Sequence, residues 1–359
     1  MSKKRKLVIA GIIFTLVLIA IGAPKIMLFL AGNNKTINEH SKEFFIKNPT
    51  DLEQLATNLQ EQGIIDDTKA FLSVGEYKGL NKDKIALGKY IIAEGTNYRA
   101  LLNGFTINSN GNGNAEVEVE VTFNNCRDIY QMSGKLAEIL AIDSSKLVSY
   151  LSDGSTLSRL GFTMEQLPAL FIPDTYKMYY DTDEKVFVER MAQEFKNFWT
   201  AERKSKLTAI GLKSPSQAVT LASIVYSEQS VNSDEWPIIA GLYLNRINQG
   251  IKMQSDPTFK FCWGDKLKGV QRLLNVHRDI DCPYNTYKIN GLPPGPICLP
   301  SPKVVDAVLN RANVKFIYMC AKPDYSGRHN FAVSGAEHMK NADIFQNWLA
   351  AELRKKGAQ

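Results

Sequence analysis

The sequence predicts an α+β protein with an N-terminal transmembrane helix, a small α/β module and a larger mixed α+β domain. Three observations carry this. An uncharged apolar run, Leu7 to Ala23, opens the chain behind a basic tail. Short β-type runs then alternate with helical periodicity between residues 40 and 112. From residue 113 to 359, an alternating strand and a series of helical segments precede a hairpin and a closing helix.

Residues 1–6, Met-Ser-Lys-Lys-Arg-Lys, read as a cytoplasmic tail, because basic residues stay on the inner side. Residues 7–31 read as the anchor: Pro24 and Lys25 interrupt it, and Ile26 to Ala31 is apolar again. That length crosses a ~30 Å hydrocarbon core as a helix. A cleaved signal peptide is the competing reading, but the run is long for one and only Ala20-Ile21-Gly22 offers a weak small-x-small site. With an uncleaved anchor, the bulk of the chain lies across the membrane.

Gly32 to Glu39 is a polar linker. In the module that follows, Phe44-Phe45-Ile46 reads as a short strand. Thr50-Asp51-Leu52-Glu53 opens a helix whose apolar positions are Leu52, Leu55, Ala56 and Leu59, and Gly63 stops it. Thr68 to Tyr77 is a second helix, Gly88 to Ala93 a strand and Tyr98 to Phe105 a third helix. Asn108 to Asn114 is a loop. Ala115 to Thr122 alternates Glu with Val, as a half-exposed strand does. Helical segments dominate Arg127 to Leu170, and Phe171-Ile172-Pro173-Asp174-Thr175-Tyr176 breaks them. A long amphipathic helix covers Glu184 to Ala201, and another runs from Trp236 to Asn248. Asp256-Pro257-Thr258 reads as a turn and Tyr284 to Pro302 as irregular chain. Phe316 to Cys320 and His329 to Val333 are strands of one hairpin, and Ser334 caps the last helix.

Hydrophobic residues make up 44% and charged residues 22%, an ordinary globular balance. The formal net charge is +6, and Lys3, Lys4, Arg5 and Lys6 supply four of those charges. The remainder holds no surplus that would suggest nucleic acid. None of the five cysteines forms a Cys-x-x-Cys pair and there are four histidines, so no zinc site, metal or cofactor is expected. An exported location permits a disulfide, with Cys262 and Cys282 the nearest pair in sequence.

One residue stands out against its helix. Ser214 is a good N-cap, Pro215 fits the first turn and Gln217 completes a capping box. Apolar residues recur at Ala218, Leu221, Ala222 and Val225, and the next position on that stripe is Glu228. A helix end reaching solvent or a salt bridge would give the same pattern. The alternative is a carboxyl among apolar neighbours, its pKa raised so that it holds a proton near neutral pH and serves as a general acid.

Four motifs extend this reading. They are Leu221-Ala222-Ser223-Ile224-Val225-x-x-Glu228, Ser255-Asp256-Pro257-Thr258, Pro283-Tyr284-Asn285-Thr286-Tyr287 and Gly291-Leu292-Pro293-Pro294-Gly295-Pro296. Their order and spacing resemble the YceG-like, or MltG, family of endolytic murein transglycosylases. Phe171 to Tyr176 is similar to that family's Phe-Pro-Asp-Thr-Tyr signature. The resemblance covers about residues 40 to 350.

The resemblance implies a single-pass protein of the cell inner membrane with a periplasmic catalytic domain. Residues 40–112 would be a LysM-like module and 113–359 the YceG-like catalytic domain. The implied substrate is peptidoglycan, cut between N-acetylmuramic acid (MurNAc) and N-acetylglucosamine (GlcNAc) in nascent glycan strands without water, leaving 1,6-anhydroMurNAc ends. Peptidoglycan synthases are the implied partners, and the cut terminates a glycan strand. The family commonly has two glutamates in Ala-Ser-Ile-Val-Glu-x-Glu; here the first is Tyr226, which leaves Glu228 as acid and then base.

Glycans present hydroxyls, amides and apolar ring faces. Asp256 with Thr258, Tyr284, Asn285 and Tyr287 are therefore expected to bind substrate, with Asn245 and Arg246 on the next helix orienting Glu228 or holding a muramyl peptide carboxylate. Each has a plainer alternative: a turn carboxylate, a turn-capping Asn, core tyrosines or a surface ion pair. Gly291 to Pro296 is expected to form a stiff cleft wall. His329, Asn330 and Phe331 match a family His-x-Phe-like stretch and either line the cleft or make a hairpin contact. Two other functions fit the same residues: an inactive glycan-binding scaffold, for which Tyr226 leaves room, and a hydrolase.

Overall fold

The computed structural model describes residues 3–124, 126–267, 270 and 274–357. It is a mixed α+β chain. Helix α1, Lys3–Asn33, runs through Pro24 rather than stopping there. An apolar membrane-length helix tolerates a proline where local adjustment re-satisfies the carbonyl it frees. Gly11–Asn33 within it is long and apolar enough to cross a membrane, with a mean hydropathy of 2.4.

The chain divides into two compact units. The first comprises residues 1–121, 138–142 and 176–183. Its sheet joins β1 (Lys42–Ile46), β2 (Gly88–Ile92) and β3 (Glu116–Val117), all antiparallel, with Phe44 opposite Tyr90. Helices α2 (Leu52–Glu61), α3 (Thr68–Tyr77) and α4 (Tyr98–Gly104) close on it. Each has a side-chain N-cap, Asp51, Asp67 and Asn97 respectively, accepting from a backbone N–H of the first turn. Phe44, Leu55, Leu59, Phe71, Tyr98 and Phe105 fill the core. The alternating Glu-Val run does not stay one strand. It splits into β3 and β4 (Val119–Thr122), because Glu116 turns inward. Its Oε1 accepts from the Tyr180 N–H at 3.2 Å, and Oε2 is buried with no hydrogen-bond partner among the described residues.

The second unit comprises residues 122–137, 143–175 and 184–359. Helices α5 (Ile129–Ile139), α6 (Ser144–Ser152) and α7 (Gly154–Leu160) realise the helical run that periodicity predicts. Strand β5, Thr175–Met178, lies almost wholly in the first unit, where it pairs with β4. The next helical stretch is two helices, α8 (Glu184–Phe198) and α9 (Ala201–Ala209), broken where Thr200 caps the second. Helix α10, Pro215–Glu228, is the axis of this unit, and α9, α11 (Trp236–Asn248), α12 (Asp256–Trp263) and α14 (Pro302–Leu309) pack around it. The short α13, Asn275–Arg278, lies beside α12. Strands β6 (Tyr318–Ala321) and β7 (His329–Ala332) form an antiparallel hairpin, and α15 (Gly335–Gly357) closes the chain.

The sequence motif understates how buried α10 is. A single apolar stripe is expected; instead every residue from Ala218 to Val225 is buried, Thr220 and Ser223 included. The two hydroxyls are tolerated because Thr220 donates to the Ser216 carbonyl at 2.8 Å and Ser223 to the Thr220 carbonyl at 2.7 Å. The capping box also differs in detail. Ser214 accepts from the Gln217 N–H, but the Gln217 side chain reaches back to the Lys213 N–H. Truncating Leu221 or Ile224 here would cost about 2–5 kcal/mol, the usual range for a buried aliphatic.

Candidate active site

Glu228 is the last residue of α10, where the buried axis meets a cavity of about 490 Å³. Its Oε1 is fixed by two hydroxyls. Tyr243 of α11 donates at 2.6 Å and Ser255 at 2.5 Å. Oε2 accepts no hydrogen bond among the described residues, and the carboxyl lines the cavity. Burial pushes the Glu228 pKa above the usual carboxylate range, the two hydroxyls pull it back, and Asp256 adds a further upward push. The tyrosine is fully buried, and burial plus the Glu228 charge hold its own pKa well above normal, so it acts only as a donor here.

Ser255 is placed by the other motifs. Its N–H donates to Thr286 Oγ1 at 2.9 Å, and Thr258 Oγ1 donates to the Ser255 carbonyl at 2.6 Å. Thr258 and Thr286 Oγ1 lie 2.9 Å apart. This knot, buried throughout, joins Ser255-Asp256-Pro257-Thr258 to Asn285-Thr286-Tyr287 and aims the Ser255 hydroxyl at Glu228. Asp256 starts α12 instead of forming an isolated turn, since Ser-Asp-Pro is also a helix-opening signal. Its Oδ1 accepts from the Tyr287 hydroxyl at 2.6 Å, and both residues line the cavity. The Arg278 guanidinium lies 5.3 Å from the centre of the Tyr287 ring.

Arg246 also lines the cavity, though 5% exposed. Its guanidinium donates to the carbonyls of Lys252 and Ile317 at 2.8 Å each and to Gln254 Oε1 at 2.6 Å. It therefore clamps the irregular segment entering Ser255 to Ile317, the residue before β6. Gln254 needs that clamp, because its φ of 56° is left-handed for a non-glycine residue. Such a conformation costs about 1–3 kcal/mol and persists only where the surroundings hold it.

Four expected substrate contacts do not line this cavity and are engaged within the fold. Asn285 is fully buried, donating to the carbonyls of Arg278 and Ile280 at 2.8 Å and accepting from the Tyr287 N–H. Thr258 is spent in the knot. Asn245 donates to the carbonyls of Val314 and Phe316. Tyr284 packs its ring 4.7 Å from Phe261, centre to centre. The Gly291–Pro294 loop lines a different cavity, with Gly211 and Gln217, so it does not wall Glu228. It leads to Ile297, whose N–H donates to the Ser223 hydroxyl and pins α10.

Sequence reasoning missed Tyr243, Ser255, Gln254 and Glu235. The hairpin residues that line the cavity are Tyr318, Met319, Cys320, Ala321 and His329. His329 donates its N–H to Glu235 Oε1 at 3.0 Å and holds Oε2 with ring Nδ1 at 2.8 Å. Burial raises the Glu235 pKa, but those bonds and one from Gln229 outweigh it, and the net shift is downward. Among the described residues no group of three or more His, Cys, Asp or Glu side chains is placed to hold a metal ion. The disulfide Cys262–Cys282 forms and staples the end of α12 to the loop before Asn285.

Comparisons with known proteins agree with this architecture. An endolytic murein transglycosylase of Bacillus subtilis (strain 168) is 23% identical over 306 residues, 80% of this chain and 79% of that protein. A protein of the same description from Streptococcus pneumoniae (strain D39) is 22% identical over 334 residues, 85% of this chain; the match spans 59% of the pneumococcal protein's length. The 2.6 Å crystal structure of a YceG-like protein from Listeria monocytogenes is similar in fold, with a TM-score of 0.54 at 20% identity, over 84% of this chain and 99% of that one. Residues 44–344 match the YceG-like family as a whole, and the chain belongs to that family.

Proposed function

We propose that this chain is an endolytic peptidoglycan lytic transglycosylase that cuts MurNAc–GlcNAc bonds in nascent glycan strands and leaves 1,6-anhydroMurNAc ends. The names of the bacillus and pneumococcal relatives support the reaction class. The observation that carries the mechanism is Glu228: a carboxyl of raised pKa, held at one oxygen, with the other turned to a polar cavity.

Protonated Glu228 gives its proton to the glycosidic oxygen as the C1–O4 bond breaks through an oxocarbenium-like state. The GlcNAc side leaves with a free 4-hydroxyl. The MurNAc C6 hydroxyl closes on C1, and its proton returns to the Glu228 carboxylate. The proton count balances and no water is consumed. Tyr243 and Ser255 keep the carboxylate from becoming too basic between the two transfers. Asp256, with Tyr287, faces the same cavity and supplies negative potential for the oxocarbenium charge. A two-carboxylate hydrolase needs a second group that activates water. Asp256 already accepts from Tyr287.

In this reading α1 is an inner-membrane anchor, the tail is cytoplasmic, and the active site is periplasmic, within reach of peptidoglycan synthases. Residues 40–112 are read as a LysM-like module and 113–359 as the catalytic domain. The test is mass spectrometry of glycan strands incubated with the full-length protein in detergent. 1,6-Anhydro ends that vanish in Glu228→Gln support the reading. Reducing ends mean a hydrolase, and uncut strands that stay bound mean a scaffold.

A further inference from the structure

The hairpin side of the cavity carries a second ordered group. We infer that His329 is a glycan-contacting residue of the cleft, presenting ring Nε2 to a hydrogen-bond donor of the sugar, and that Glu235 is the positioning residue that fixes the ring. The inference rests on the proposed glycan substrate.

The argument starts from Glu235. The residue is 4% exposed, and it has no Lys or Arg partner among the described residues. The adjacent Arg328 pairs with Asp234 instead, at 2.7 and 3.1 Å. Burying a carboxylate is costly unless its oxygens are satisfied. Here Oε1 takes the His329 N–H, and Oε2 takes the Gln229 amide at 2.9 Å together with ring Nδ1. An ionised carboxylate can only accept, so Nδ1 carries the hydrogen and Nε2 is left for the cavity that Glu228 shares.

A purely structural role explains less. The hairpin is already held to the turn after α10 without the ring. Gln229 donates to the Gly327 carbonyl at 2.8 Å, Asn232 donates to the Ser326 carbonyl at 3.1 Å, and the Arg328–Asp234 pair adds two bonds. The ring contact adds orientation. Gln229 also immediately follows Glu228. Its Oε1 accepts from the N–H groups of Val231 and Asn232, and its carbonyl accepts from the Trp236 indole at 2.6 Å. This short rigid turn fixes the Glu235–His329 pair relative to the acid. In a neutral ring so fixed, Nε2 is an acceptor, suited to a sugar hydroxyl or an N-acetyl N–H.

The experiment uses the full-length protein in detergent, labelled with ¹⁵N-histidine in the Glu228→Gln background and titrated with peptide-free glycan strands. The Nε2 resonance of His329 is expected to shift with saturation while Nδ1 keeps its hydrogen-bonded position. In the active enzyme, His329→Phe should raise KM about tenfold, the loss of one hydrogen bond of ~1.4 kcal/mol, with kcat little changed. Glu235→Gln should do the same, because an amide at that place can donate and releases the ring. The double variant should be no worse than either single one, and His329→Gln, whose amide oxygen can accept, should recover part of the loss. Unchanged KM in His329→Phe, or an Nε2 resonance that ignores saturating glycan, overturns the inference. Wild-type protein that yields no 1,6-anhydro ends while Nε2 still responds would sink the proposed reaction and leave this contact standing.

Discussion

Ser255 meets Glu228 at the same oxygen that Tyr243 holds, so two donors stabilise one side of a carboxylate that lines the cavity. Both bonds lower a pKa that burial raises. Removing either donor therefore lifts the pKa further. A general acid works only while protonated, so the alkaline limb of the kcat/KM profile should move to higher pH in Ser255→Ala and in Tyr243→Phe. The shift should be about one unit for a lost charge-assisted bond. A limb that stays in place would show that these hydroxyls do not tune the acid.

Glu228 also links pH to stability. Its folded pKa lies above its unfolded value, so the native state binds the proton more tightly. Its own contribution to stability is greatest below the ordinary carboxylate range and is lost as pH rises through the raised pKa. Glu228→Gln removes that loss. Thermal melts should show the variant matching wild type at low pH and exceeding it above the raised pKa, while glycan cleavage is abolished and glycan binding retained.

How much of this was legible in the sequence differs by residue. Ser214 and Pro215 act on their own helix, so the start of α10 could be read locally. Glu228 was legible because a charge broke a periodic stripe. Thr258 and Asn285 were not, because a short polar side chain offers the same bonds to a ligand and to a distant backbone. Thr258 is committed to Thr286, 28 positions away, and that pairing leaves no local trace. His329 and Glu235 are 94 positions apart, and only the fold brings them together. Asp256 opens a helix where the local sequence reads equally as a turn, because Asp-Pro serves both.

Glu116 in the first unit makes a separate pH prediction. Burial, then the nearby Asp181 charge, push its pKa up to about 7, and burial lifts Asp181 to about 6. Both groups therefore lose native-state favour as pH rises from the ordinary carboxylate range toward 7. Glu116→Gln keeps the shape and removes one charge. It should leave melting unchanged near pH 4, an ordinary carboxylate value, and raise it near pH 8, above both shifted groups. Equal melting at both ends would mean that the two carboxyls are solvated.

The Cys262–Cys282 bridge closes a loop of separation 20, worth about 3 kcal/mol in the chain-entropy account. Within that loop, the Arg278 and Ile280 carbonyls anchor Asn285, which in turn sets Tyr287 against Asp256. Reduction should thus slow glycan cleavage and increase hydrogen exchange around residues 278–287, with the core of α10 still protected. Full activity after verified reduction would separate the bridge from the cleft.

Gly295 supplies the last test, and it concerns why the Pro-Pro-Gly-Pro loop needs its glycine. A Cβ built at 295 would lie 1.8 Å from the Glu165 carbonyl oxygen and 2.5 Å from its carbon. Both are backbone atoms, so no rotamer can make room. The loop can sit this close only without a side chain, and its continuation at Ile297 pins Ser223 in the middle of α10. Gly295→Ala must push the loop off Glu165 and strain that pin. The expected cost is about 1–3 kcal/mol, the range for overpacking a dense site, seen as a lower urea midpoint with an unchanged m-value. Gly291→Ala is the control, since no heavy atom lies within 4 Å of a Cβ there and only its positive φ of 76° opposes the change. If Gly295→Ala proves no more harmful than Gly291→Ala, the close approach to Glu165 is not what the glycine provides.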